Sequence, residues 1–188
     1  MYRLILILAV LPLVIALVAR WWFGLRVLAT EGRRACRCDL THWMPAPGDD
    51  AAVHRAENSA AEFGRELRLK ALADWHANDP KAAKAREGTR RFGIAVPPLS
   101  GIVAIMGVLV GRIPVIGALA ILLGACALAA VFSLLTLPAE LRAIAQSARA
   151  MRQNKSFPAE ADGLAVIQCA MAHAWDAALP PILRWLQK

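Results

Sequence analysis

The sequence predicts an all-α, polytopic membrane protein, and three features carry that expectation. Of the 188 residues, 58% are hydrophobic, with a mean hydropathy of +0.46, and the apolar residues fall in blocks, as in chains that meet lipid. Leu4 to Ala19, Phe92 to Val110 and Val115 to Leu137 carry no charge. At 1.5 Å per residue the last of these is about 34 Å long, against about 30 Å for a hydrocarbon core. Finally, only Gly111-Arg112-Ile113-Pro114 separates the second block from the third. So short a tip forces the two to run antiparallel as a transmembrane hairpin over residues 92–137.

Residues 1–23 read as a transmembrane anchor. Leu17-Val18-Ala19 is a poor signal-peptidase site, and Arg20-Trp21-Trp22 would be an odd mature start. Indole rings collect at headgroup level, which suits Trp21 and Trp22. Residues 24–91 follow as a helical segment. Arg37 to Asp50, with Pro45, Pro47 and Gly48, reads as loop. Ala51 to Lys84 reads as helix, broken or bent at Asn78-Asp79-Pro80. Phe63, Leu67 and Ala71 give it one apolar face. With so few large apolar residues, the segment is expected to lie against the membrane or a partner and not to form an enzyme domain.

The first arm of the hairpin opens on Pro97-Pro98, which bends a helix if placed inside it. Lipid gives helices no hydrophobic reason to pair, so small residues must let them approach. Gly107 and Gly111 sit four apart on one arm, and Gly117, Gly124, Ala125 and Ala129 lie on the other. In residues 138–158, Leu141, Ile144, Ala148 and Met151 form a stripe opposite Arg142, Arg149 and Arg152. This predicts an amphipathic helix on the cytoplasmic surface and then a turn. In residues 159–188 an apolar run from Gly163 to Leu186 contains Gln168, His173, Asp176 and Pro180-Pro181. It reads as a fourth span whose polar residues face protein, the alternative being a helix in the interface. His173 and Asp176, three apart, share a helical face. If the run spans, Asp176 is the candidate for a buried polar contact or a proton-linked role, and a structural Asp-His pair is the simpler reading.

A net charge of +8 in a soluble protein would raise nucleic acid as a partner. Here the arginines flank the apolar blocks and no basic patch is interleaved with aromatics, so nucleic acid is excluded as a partner. Arg20, Arg26, Arg33, Arg34 and Arg37 follow the anchor, and Lys84, Arg86, Arg90 and Arg91 precede the hairpin. Only Arg3 and Arg112 fall on the other side. The positive-inside rule then puts residues 24–91 in the cytoplasm and the tip outside, in a bacterial cytoplasmic membrane.

Two clusters could carry chemistry. Cys36, Cys38 and His42, with His54 downstream, offer thiolate and imidazole groups. Structural zinc sites separate paired cysteines by two to four residues and Cys-Arg-Cys leaves one, so free thiols are the simpler reading. A disulfide does not suit the reducing side of the membrane. In Leu72-Ala73-Asp74-Trp75-His76 the single histidine reads as packed or solvated.

The order of pieces resembles the YugP-type membrane zinc metallopeptidases. Leu134-Leu-Thr-Leu-Pro-Ala-Glu-Leu-Arg after the hairpin looks like that family's Leu-Pro-x-Glu turn, and Ala61-Glu62-Phe63-Gly64-Arg65 is similar to its Ala-Glu-x-x-Arg opening. The resemblance covers about two thirds of the chain. It places Leu72 to His76 where the family has His-Glu-x-x-His, and Glu140 where a downstream glutamate lies. On that mapping Leu72 replaces a ligand, Ala73 replaces the general base, and His76 remains. A zinc hydrolase needs three protein ligands and a base acting on bound water. The resemblance therefore implies a degenerate relative with no catalytic residues and no cofactor. Glu140, two residues after Pro138, would then serve in the first turn of its helix.

The expected function is a non-catalytic subunit that docks other integral membrane proteins in the lipid bilayer. Its contacts would be Gly107, Gly111, Gln168, His173 and Asp176. The alternatives are a minimal metallopeptidase using His76 and Glu140, and a metal- or cofactor-holding subunit using Cys36, Cys38 and His42.

Overall fold

The computed structural model describes residues 2–39, 43 and 56–179. The chain is mostly helical. In order it contains α1 (Tyr2–Arg20), a π-helical turn (Trp21–Leu25), α2 (Arg26–Thr30), β1 (Ala35–Arg37), β2 (Glu57–Ser59), α3 (Ala60–Asn78), α4 (Pro80–Leu109), α5 (Val115–Gln153) and α6 (Glu160–Ala177). Among the described residues three helical stretches are long and apolar enough to cross a membrane: Ile7–Thr30, Pro80–Leu109 and Val115–Gln153. The expected fourth span is not among them, and its end, residues 180–186, lies outside the described residues.

The chain divides into two compact units. The first comprises Met1–Ala19, Ala85–Thr136 and Ala177–Lys188. Its interior is small and its exterior large and apolar. Ala9, Leu13 and Ala16, spaced along one face of α1, pack with Cys126, Ala127, Ala130 and Leu179. Ile7, Leu11, Ile15, Leu99, Val103 and Leu135 are each more than half exposed. A water-soluble fold inverts that distribution, whereas a helix set in hydrocarbon uses its small residues for close approach and turns its large ones to lipid. At the tip Gly111 takes a φ of +73°, a left-handed conformation that glycine reaches without a Cβ penalty. The N–H groups of Arg112 and Ile113 both donate to the Gly107 carbonyl, at 3.0 and 3.1 Å. Ile113 thereby folds over Gly107 and occupies the place a Cβ there would need. At the other end Phe92 meets Phe132 edge to face, and Arg86 donates to the Ser133 carbonyl and the Thr136 hydroxyl, both at 2.8 Å. Pro97 and Pro98 lie inside α4, which begins at Pro80, twelve residues before the charge-free block opens at Phe92.

The second unit comprises Arg20–Lys84 and Leu137–Asp176. Residues 57–59, expected as helix, form a strand instead, paired antiparallel as Ala35↔Ser59, Cys36↔Asn58 and Arg37↔Glu57. The helix starts at Ala60 because Ser59 is its N-cap, its hydroxyl accepting from the Glu62 N–H at 3.3 Å. It ends at Asp79, whose N–H donates to the Trp75 carbonyl while its carboxylate accepts from Ala82 N–H at 3.1 Å. Asp79 therefore closes α3 and opens α4, with Pro80 at the first helical position, where a missing N–H costs nothing.

The core of this unit is larger than the segment 24–91 could supply alone. Phe63, Leu67 and Ala71 are buried on α3 as their spacing predicts. Trp43, Phe63 and Phe157 stand mutually edge to face with centroids 5.4–5.6 Å apart. Ile144, Ala148 and Met151 of α5 and Val166, Cys169 and Ala170 of α6 are buried as well. The apolar run read as a fourth span belongs, as far as Asp176, to this unit. Helices α3 and α6 cross at Gly64: a Cβ there would lie 2.6 Å from Cys169 Cβ and 2.8 Å from Ala170 N. Both are closer than any real contact, so no side chain fits.

Gly64→Ala is therefore expected to destabilise the protein by about 1–3 kcal/mol, the usual cost of overpacking. Gly88→Ala, on a helix surface with nothing within 4 Å of the added methyl, should be neutral or stabilising by up to about 1 kcal/mol. Denaturant unfolding in mild detergent compares the two, and equal midpoints would refute the tight crossing.

Candidate functional site

The polar chemistry of the second unit lies in arginine–carboxylate pairs and one open groove. Glu140 is 2% exposed, and its carboxylate receives Arg68 Nη2 at 2.7 Å and Nε at 2.8 Å. This corrects the expectation that Glu140 sits in the first turn of a helix. Pro138 lies within α5, which runs unbroken from Val115 to Gln153, so Glu140 is a mid-helix residue facing α3. Asp176 is the partner of Arg20, whose Nε and Nη2 both lie 2.8 Å from Oδ1. Arg34 meets Asp162 at 3.1 Å. A fourth carboxylate, Glu66, accepts from the Trp43 indole N–H at 3.1 Å and is itself buried.

His173 and Asp176 do not bond each other. The imidazole Nε2 of His173 donates to the Ala61 carbonyl at 2.9 Å, while Asp176 is held by Arg20. Burial pushes His173 below the ordinary histidine value of 6.5, and the nearby Arg68 adds to this. A neutral ring satisfied by a backbone carbonyl joins α6 to the start of α3 and serves as a structural group. Gln168, on the same helix, is exposed.

Among the described residues no group of three or more His, Cys, Asp or Glu side chains is placed to hold a metal ion. Cys36, in β1, and Cys38, just past its end, are both buried. Burial pushes their thiols up to about 11 and about 12, helped by Asp162 beside Cys36 and Asp39 beside Cys38. Cys36 donates to the Arg34 carbonyl. His42 and His54 lie outside the described residues. His76 is exposed on α3, and Glu140 is closed off by Arg68.

Between α3 and α5 runs a groove of about 660 Å³. One stripe of α3 and the start of α4 forms one wall, with Asp74, Trp75, Asn78 and Asp79; Arg142, Gln146 and Ser147 of α5 form the other. Ala71 and Ala143 floor it. Neither His76 nor Glu140 lines it, although their neighbours do. Asp74 and Arg142 make no ion pair among the described residues. The groove can hold polar and charged groups against a small apolar floor.

Sequence reasoning missed Arg68, Glu66 and Trp43 as organising residues and took Arg20 only as a topology signal. No spacing rule joins Arg68 to Glu140, 72 positions apart. The one available hint was charge placement: Glu140 and Asp176 are isolated carboxylates on otherwise apolar faces, which demand a cation if buried.

Removing one partner of a buried pair strands the other charge. Glu140→Ala is thus expected to cost about 3–5 kcal/mol of stability. An Arg68→Met, Glu140→Leu double variant should recover much of that, because two apolar groups need no desolvation. Unfolding midpoints of wild type, both single variants and the double variant check this, and additive losses would refute the coupling.

No protein family, curated protein or solved structure matches the chain.

Proposed function

We propose that the chain is a non-catalytic integral membrane subunit that docks other membrane proteins, and that it is a degenerate relative of the YugP-type zinc metallopeptidases. The observation supporting this is the fate of the three positions such an enzyme would need. Leu72 and Ala73 are aliphatic, and the carboxylate of Glu140 is taken up by Arg68. Zinc hydrolysis requires three ligands, an open coordination position and a base. A glutamate can ligate only by giving up its guanidinium, which would leave that cation half-buried and unpaired.

Three spans anchor the protein, in this reading, in a bacterial cytoplasmic membrane, with residues 24–91 on the cytoplasmic side. The C-terminal apolar run is taken as a core helix of the second unit instead of a fourth span. Glu160 and Asp162 in the first turn of α6 and the arginine partner of Asp176 favour that choice. Docking would use the groove, where Asp74 and Arg142 await opposite charges, together with exposed Gln168. Gly107 and Gly111 have a local duty in the tip, so leucine there would disturb the hairpin before it disturbed a partner.

The protein purified in mild detergent should contain no stoichiometric zinc, leave casein intact, and migrate on native electrophoresis above its own 20.3 kDa. Casein cleavage lost to chelator and restored by zinc would overturn the non-catalytic reading. A lone monomer in fresh membrane extract would overturn docking.

Orientation is tested by cysteine accessibility in a background without native cysteines. Lys155 is exposed and can report on the chain after the hairpin. Cysteines at Thr30 and Lys155 should react only after the membrane is permeabilised, and one at Arg112 in intact cells. The reverse pattern would invert the topology.

A further inference from the structure

The five arginines that follow the anchor are not equivalent. Three are held by carboxylates: Arg20 by Asp176 at 2.8 Å, Arg34 by Asp162 at 3.1 Å and Arg37 by Glu57 at 2.8 Å. Arg26 and Arg33 have no carboxylate among the described residues. Arg26 is instead placed by an aromatic ring, its Cζ lying 4.5 Å from the Trp22 ring centroid. A guanidinium stacked on an indole is fixed in orientation while the N–H donors around its edge stay free, the arrangement that receives a phosphate.

The backbone explains how that pair comes to face outward. Trp21–Leu25 is a π-helical turn, closed by the Arg26 N–H donating to the Trp21 carbonyl. The extra residue in the turn leaves Trp21, Trp22 and Phe23 each 50–53% exposed. Gly24 alone points inward, where a Cβ would be 3.4 Å from the Ala172 carbonyl oxygen. Single π-turns inside α-helices are rare and mark functional positions. This one lies within the apolar stretch Ile7–Thr30, past the last uncharged residues of the anchor, at the level where indole rings meet headgroups.

We propose that Trp22 and Arg26 form a binding site for the phosphate of an anionic phospholipid. The inference rests on reading Ile7–Thr30 as a span. The ring covers the acyl–glycerol region, the stacked guanidinium takes the phosphate oxygens, and Arg33 adds a second uncompensated charge. The carboxylate-paired arginines contribute little because their charge is already neutralised.

The test uses the full chain in phosphatidylcholine vesicles containing a tenth of brominated lipid, carrying either a phosphatidylglycerol or a phosphatidylcholine headgroup. Bromine quenches only indoles it touches, and subtracting the Trp22→Phe signal isolates Trp22. Brominated phosphatidylglycerol should be enriched at Trp22 about fivefold over brominated phosphatidylcholine, the ratio expected for one well-placed arginine near an anionic surface. Arg26→Gln should bring the two lipids level, and Arg37→Gln should leave the preference intact. Equal quenching in the wild type would overturn the site, as would an Arg37→Gln loss matching that of Arg26→Gln, which signals diffuse attraction. Failure of the chain to enter either vesicle would overturn the span as well, which separates the two failures.

Discussion

The second unit depends on charges that must not be left alone. Glu140 reaches its position inside a helix whose earlier part is uniformly apolar, and Arg68 comes from a helix 72 positions earlier. An ionised carboxylate with 2% exposure has no route to water, so the guanidinium is a condition of the fold. Such a pair adds little net stability relative to apolar residues of the same shape, but it penalises every arrangement that separates its members. Arg20 with Asp176 imposes the same condition on the end of α1 and α6, and Arg34 with Asp162 on the loop and the start of α6. Distant segments are thereby fixed to one another by arginine forks whose geometry tolerates little slippage.

Small residues set the other condition. Gly64 admits α6 to within backbone distance of α3, and Gly24 does the same beneath the π-turn. In the first unit Ala9, Ala16, Ala127 and Ala130 fill the interior. A chain of this size, with so many alanines and few large core residues, gains contact by bringing backbones together. The aromatic trio of Trp43, Phe63 and Phe157 is the exception and supplies most of the bulk in the second unit's core.

These conditions bear directly on chemistry. Each buried polar side chain of the described residues has a partner, and the carboxylates best placed to act as acids, bases or ligands are neutralised by arginine. Reactivity needs a group whose protonation or coordination is unfinished. What remains unfinished lies at the surface: Asp74 and Arg142 across the groove, and Arg26 stacked on Trp22.

Much of the first unit was legible in the sequence, because membrane helices obey a local rule. An uninterrupted apolar stretch of sufficient length must form a helix, as no water is present to satisfy its backbone. The hairpin, its tip at Gly111 and the burial of Phe63, Leu67 and Ala71 followed from spacing alone. The start of α3 did not, since the strand pairing of residues 35–37 with 57–59 is made between segments twenty residues apart and outweighs the helical propensity that extended the helix back to Ala51. The role of Glu140 was misread because Pro138 suggested a helix start, and only the continuous α5 turns its carboxylate toward Arg68. The apolar run from Gly163 carries a signal like that of the three candidate spans, and as far as Asp176 it belongs to the second unit. Apolarity determines only that a helix must be covered; the close approach at Gly64 and the ion pair with Arg20 are long-range contacts that only the tertiary structure shows.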